Sequence, residues 1–148
     1  MIRQGVKIPW RANRPPSRFH HGESFLNLPQ DKQNFVDTEF PRLIGKGAFE
    51  PADPREIHHV SRLFLQPKPD PVKPYRIVAD LKFVNSHCQV RTMKMETLRH
   101  LQNIAKPGDW FASFDLQDGF YAVSIAPEFR KYFTFLVNGK YYRMSAMP

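Results

Sequence analysis

The stretch Trp110, Phe111, Ala112, Ser113, Phe114, Asp115, Leu116 sets a single carboxylate at the end of an apolar run, with Gln117, Asp118, Gly119, Phe120 and Tyr121 directly after it. The pattern predicts a buried strand over 110–116 that delivers Asp115 to its solvent-facing end, anchored by Phe111, Phe114 and Leu116. A carboxylate so placed suits Mg2+ in phosphoryl transfer, because this small hard cation takes one or two carboxylates and leaves its other positions to water and substrate phosphates. A strand-end aspartate is also an ordinary turn residue, and Asp118 and Gly119 read as shaping a tight turn. No acidic pair follows Asp115. One carboxylate cannot hold two ions, so the chain reads as the first part of an active site.

The cations that could meet a phosphate lie upstream. A β-rich run over 60–66 stops at Pro67; Lys68, Pro69, Asp70, Pro71, Val72, Lys73 and Pro74 make a proline-stiffened turn; and Tyr75 to Lys82 alternates with period two. This predicts a long hairpin with a basic tip. Arg76, Val78, Asp80 and Lys82 fall on one face, and Tyr75, Ile77, Ala79 and Leu81 on the core face.

Other elements must position these two groups. Phe35, Val36, Phe40, Leu43 and Ile44 recur at helical spacing, with Asp31 in the first turn and Gly45 and Gly47 beyond, so 30–44 is predicted to be an amphipathic helix. Pro41 predicts a kink or an early end, since it lacks the N–H and crowds the preceding turn. Met95, Leu98, Leu101 and Ile104 predict a helix over 93–105, packed on the sheet and stopped by Pro107 and Gly108. Asn138-Gly139 between two aromatic-rich runs is a hairpin signal. Residues 1–27 carry Arg3, Lys7, Arg11, Arg14 and Arg18 among prolines without a period. They read as an extended basic arm that either contacts nucleic acid or stays solvated.

The chain has 148 residues, 41% of them hydrophobic, and a net charge of +8. Its apolar runs are too short to span a bilayer. Its N-terminus lacks the pattern of a signal or transit peptide, and an intracellular location is expected. Cys88, alone of its type, excludes an internal disulfide and a thiolate zinc site. The pairs His20-His21 and His58-His59 lack the spacing of metal ligands. The basic balance favours a polyanionic partner.

Taken in order, Phe64-Leu65-Gln66-Pro67-Lys68, Tyr75 to Asn85, Ser113 to Phe120, Phe129 to Phe135 and Tyr142 to Pro148 resemble retrotransposon and retroviral reverse transcriptases, from about Gly5 onward. Gly5-Val6-Lys7-Ile8-Pro9-Trp10, the helix before the hairpin, and Gly108-Asp109-Trp110 are most similar to the DIRS group of tyrosine-recombinase retrotransposons. The resemblance implies an α+β fold, the fingers and partial palm of a right-hand polymerase, with mainly antiparallel strands and packed helices over 28–148, after an arm over 1–27. It implies that Arg76 binds the triphosphate of the incoming dNTP, a task suited to a planar, permanently charged fork. Lys68 matches the fingertip lysine, with Lys73 as a competing match. Lys82 matches a template-contacting position and Asp80 an acid on the same face. Arg130 and Lys131 are read either as nucleic-acid contacts or as a solvated turn. Asp115 matches the first catalytic aspartate, with the Leu116 backbone carbonyl as a second ligand of a two-Mg2+ site that activates the primer 3′ hydroxyl. Phe120 matches the aromatic that rejects a ribose 2′ hydroxyl, although a core aromatic would read the same way.

The implied partners are an RNA or DNA template-primer and dNTPs. Family members continue beyond the Pro148 position with a glycine segment, an aromatic-x-Asp-Asp hairpin, a thumb and an RNase H region. The expectation is therefore an incomplete N-terminal portion that does not polymerise alone. The alternative is a noncatalytic nucleic-acid-binding remnant. A metal-dependent nuclease of another fold would need a second acidic cluster.

Overall fold

The computed structural model describes residues 5–92, 94–116 and 118–147. Within it, residues 5–27 are built into the fold, which corrects the solvated-leader reading. Val6 exchanges backbone hydrogen bonds with Ser124 and Ala126 (2.7 and 3.0 Å), and Ile8, Pro16 and Ser24 are buried. The arm is held because two short strands in it complete a sheet. Strand β1 (Phe19–His20) and β2 (Glu23–Ser24) each find a parallel neighbour further along the chain.

Helix α1 (Gln30–Gly45) buries Val36, Phe40 and Leu43, the predicted stripe. It runs through Pro41 without the expected break. Pro41 and Asp37, the residue whose carbonyl loses its partner, both lie on the exposed side of the helix, so water can satisfy the freed oxygen. The helix ends where Gly47 adopts a φ of 73°, with Gly47 N–H donating to Ile44 O (2.9 Å) and Ala48 N–H to Leu43 O (3.0 Å). This paired C-terminal closure needs a left-handed residue, which glycine supplies at least cost.

Strand β3 (Phe49–Pro51) is followed by β4 (His59–Ser61), β5 (Leu63–Pro67) and β6 (Tyr75–Ala79). β5 and β6 form the predicted hairpin, in register from Leu63↔Ala79 to Pro67↔Tyr75. Arg76 and Asp80 are exposed and Leu81 is buried, as the alternation requires. Lys82 is not on that strand face: it opens helix α2 (Lys82–Ser86), where its N–H donates to Asp80 Oδ1 at 3.2 Å.

Helix α3 (Leu98–Ile104) is shorter than predicted and buries none of its residues; Met93 lies outside the described residues. Packing on the sheet is thus not observed, and a seven-residue helix without a buried face gains little beyond its own hydrogen bonds. The predicted strand over 110–116 is likewise absent: 110–116 is irregular and exposed, with Trp110 99% accessible. No strand among the described residues pairs with it, so its β propensity is not satisfied by a ladder.

Strands β7 (Thr134–Val137) and β8 (Lys140–Met144) close on Asn138 and Gly139, both at positive φ (49° and 69°), as the tight hairpin turn demands. This hairpin is the centre of a six-stranded sheet in the order β1-β4-β7-β8-β3, with β2 also on β7. The longer ladders are antiparallel, β3 on β8 and β7 on β8, while β1, β2 and β4 pair in parallel over two residues each. Phe40 of α1 packs on Phe49 and Tyr142, and Phe49 on Phe135. The result is a mixed α+β fold with a mainly antiparallel sheet.

Candidate active site

Lys68, Arg76, Asp115 and Leu116, drawn from two distant parts of the sequence, line one open cavity of about 300 Å3 with Lys73, Glu39, Arg42, Asp118 and Tyr121. The cations come from the β5–β6 hairpin. Arg76 donates from Nε and Nη2 to Oε1 of its cross-strand partner Gln66, at 2.9 and 2.6 Å, so its planar head has a fixed orientation. Lys68 Nζ lies 3.9 Å from Asp70 and Lys73 Nζ 3.8 Å from Glu39. Both distances exceed hydrogen-bond length, so each lysine is available to an incoming anion.

The hairpin is fastened to α1. Tyr75 Oη donates to Asp31 Oδ2 at 2.8 Å, the Phe35 ring meets Tyr75 edge-on, and Lys32 Nζ sits 5.7 Å from the Tyr75 ring centre. That hydrogen bond holds the Asp31 carboxyl below its ordinary value and pushes the Tyr75 phenol up.

The opposite wall is an ion-pair network. Arg42 grips Glu39 through Nε (2.8 Å) and Nη2 (2.5 Å) and reaches Asp118 Oδ2 through Nη1 (3.1 Å), while Lys46 Nζ meets the same oxygen at 2.5 Å. Lys46 first, then Arg42, lower the Asp118 carboxyl; Arg42 lowers Glu39; and these carboxylates hold the Arg42 guanidinium above its usual range. Asp118 stands at φ 56°, beginning a tight turn. Gly119 N–H donates to the Leu116 carbonyl (3.2 Å) and Tyr121 N–H to the Asp118 carbonyl (2.9 Å). Sequence reasoning missed Glu39, Arg42 and Lys46. The available signal was the i, i+3 spacing of Glu39 and Arg42 along a helix already predicted, next to its buried stripe, with Lys46 just past its end.

Phe120 is 73% exposed, and its neighbour Tyr121 is the aromatic against the cavity. Burial pushes the Tyr121 phenol up. The two are indistinguishable in the sequence, and the 3-10 turn Gly119–Ala122 decides which one faces in. Lys82 lies elsewhere, with Asp80 and Asn85 on a larger, mostly apolar cavity of about 780 Å3 that Arg76 and Tyr121 also border. Arg130 donates to Ile125 O and to Glu50, and so braces the sheet.

Among the described residues, no group of three or more His, Cys, Asp or Glu is arranged to hold a metal ion. Glu39 and Asp118 are committed to Arg42 and Lys46. Asp115 has no ion-pair partner among the described residues and lines the cavity that also receives the hairpin cations. A hard carboxylate oxygen that lines the same cavity as Leu116, Lys68, Lys73 and Arg76 is a donor compatible with Mg2+, which accepts substrate oxygens as its remaining ligands. No helix of the described residues is long and apolar enough to cross a membrane.

No protein-family model matches the sequence, and no curated protein matches it significantly. Solved structures do. The chain is similar to the protease-reverse transcriptase of prototype foamy virus, as the selenomethionine-labelled CSH mutant (TM-score 0.71, 19% identity, 97% of this chain and 18% of that one). The native form of the same protein gives TM-score 0.70 at 19% identity over the same shares of the two chains. The foamy viral protease-reverse transcriptase dRH in complex with double-stranded DNA gives 0.66 at 18% identity, over 99% of this chain and 23% of that one. The fold is therefore reverse-transcriptase-like. The chain spans about a fifth of the length of these structures.

Proposed function

We propose that this chain is the fingers and first palm portion of an RNA-directed DNA polymerase from a retroelement, akin to the DIRS group, and that its own cavity binds the triphosphate of an incoming dNTP. The observation that carries this reading is the meeting of Lys68 and Arg76 with Asp115 in one cavity, across a sequence separation that only the fold can close. Arg76, oriented by Gln66, would take phosphate oxygens on its planar fork. Lys68 or Lys73 would neutralise a further oxygen, leaving Asp70 or Glu39 as it does so. Asp115 and the Leu116 carbonyl would hold Mg2+, which when bound would supply charge neutralisation at the phosphates and activation of the primer 3′ hydroxyl. Phe120 would guard the sugar from the exposed side of the turn, and Lys82, on the larger cavity, would contact the template. The other carboxylates of this cavity, Glu39 and Asp118, are paired with Arg42 and Lys46, so the reading for these 148 residues is nucleotide binding with a single ion.

In equilibrium binding of dATP to the purified chain, Mg2+ is expected to strengthen binding, Asp115→Asn to abolish that dependence, and Arg76→Met to weaken binding about tenfold or more, the scale of a lost charge-assisted bidentate contact. Binding that ignores Mg2+ and Asp115 but weakens steeply with salt would overturn it. That outcome favours the second reading, a noncatalytic nucleic-acid-binding remnant, for which the net charge of +8 speaks.

A further inference from the structure

We infer that Arg42 and Lys46 are positioning residues for the Asp115 loop, acting as a latch on Asp118; this rests on the reading of Asp115 and Leu116 as ligands of a metal-nucleotide. The question it answers is what keeps Asp115 in the cavity. Residues 110–116 have no strand pairing, and Trp110, Phe111, Phe114 and Leu116 are all exposed, so neither a ladder nor the core holds the segment. Among the described residues, the first side-chain anchor after Asp115 is Asp118, whose Oδ2 accepts from both Arg42 Nη1 (3.1 Å) and Lys46 Nζ (2.5 Å). Arg42 cannot swing away, because Glu39 holds the other edge of its guanidinium at two oxygens.

The latch sits one hydrogen bond from the proposed ligands. Asp118 opens the turn whose Gly119 N–H donates to the Leu116 carbonyl oxygen, which orients that carbonyl and, through the adjoining peptide, Asp115. Helix α1 also carries the Tyr75–Asp31 bond that fastens the cationic hairpin. One rigid helix thus registers both halves of the site against each other. Placing a charged group within a fraction of an ångström requires such outside support when its own segment supplies none.

The test uses the full 148-residue chain and two readouts. The first is Mn2+-dATP affinity, by electron paramagnetic resonance of the free ion. The second is amide hydrogen exchange at Gly119 and Tyr121 in nucleotide-free protein. Arg42→Gln, Asp118→Asn and the double variant are compared, with the β7–β8 amides as an internal control of folding. The latch predicts about five- to tenfold weaker affinity and five- to tenfold faster exchange in each single variant, the scale of a hydrogen-bonded, partly buried charge pair. It also predicts that the double variant is no worse than Asp118→Asn alone, because that variant already removes the carboxylate that both cations hold. Arg42→Lys should restore part of the loss. Unchanged exchange and affinity in the single variants, or purely additive effects, would overturn the latch. If the wild-type chain fails to bind Mn2+-dATP while Asp115→Asn leaves it equally inert, the functional reading fails. The exchange at Gly119 and Tyr121 then still decides the latch by the same criteria.

Discussion

His59 shows how a single side chain can couple the arm to the sheet and make the fold sensitive to pH. Its ring is buried, stacks on Phe83 (centroids 5.0 Å apart, planes 10° apart) and meets His21 edge-on at 5.4 Å. Burial lowers its pKa first of all, and the neighbouring His21, His58 and His87 act in the same direction. The folded chain therefore keeps this imidazole neutral at a pH where the unfolded chain already protonates it. A depressed histidine pKa means that stability is full above the unfolded value of about 6.5 and declines as pH falls below it. Urea unfolding at pH 7.5 and 5.5 should show a clear loss of midpoint in the wild type and a smaller loss in His59→Phe, which keeps the stack without the titration. Equal losses in both would place the acid sensitivity elsewhere. The carboxylates Asp118 and Glu39 act lower on the pH scale: their depressed pKa values preserve stability until pH falls below about 4.

Among the elements, α1 tests how far a local rule survives its tertiary setting. Pro41 sits inside the helix, yet Val36, Phe40 and Leu43 on the opposite side are packed into the core, and this burial outweighs one missing hydrogen bond on the wet face. Pro41→Ala restores the donor and removes the ring clash, so it should raise stability by about 1–3 kcal/mol, read as a higher thermal midpoint. An unchanged midpoint would mean that the helix already pays no penalty there. The same contrast explains what was legible in the sequence. The β5–β6 hairpin and the Asn138-Gly139 turn were readable because local alternation and turn chemistry dictate them. The helix over 93–105 and the strand over 110–116 were overestimated because an apolar pattern states a wish for burial, and neither segment finds a surface among the described residues. Arg76 and Asp115 were singled out by a motif resemblance, and the fold brings both to one cavity. Arg42 and Lys46 were not singled out, since a basic residue on a helix carries no sign of which loop it will meet 72 or 76 residues later.

Across the whole molecule two properties act against each other. One is the basic balance of +8, and the other is the exposed apolar stretch of Trp110, Phe111, Phe114, Leu116 and Phe120. Charge repulsion keeps copies apart at low ionic strength, while clustered aromatics attract them once that repulsion is screened, which happens over about 10 Å at 0.1 M salt. Salt should therefore act in two directions: it weakens the proposed binding to RNA or DNA, because releasing the same counterions into a saltier solution gains less, and it promotes self-association of the free chain. The two trends can be separated by substitution. Trp110→Ser with Phe114→Ser removes large side chains that are 99% and 91% exposed, so it withdraws little from the core and should leave the unfolding midpoint within about 0.5 kcal/mol of wild type. Sedimentation velocity from 0.05 to 0.5 M salt should show association growing in the wild type and suppressed in the double variant. On the reading that basic side chains bind nucleic acid, that binding should weaken along the same slope in both proteins, because neither substitution removes a cation. A double variant that associates as the wild type does would move the adhesive surface away from 110–116, and one that loses its salt-dependent binding would make these aromatics part of the nucleic-acid surface itself.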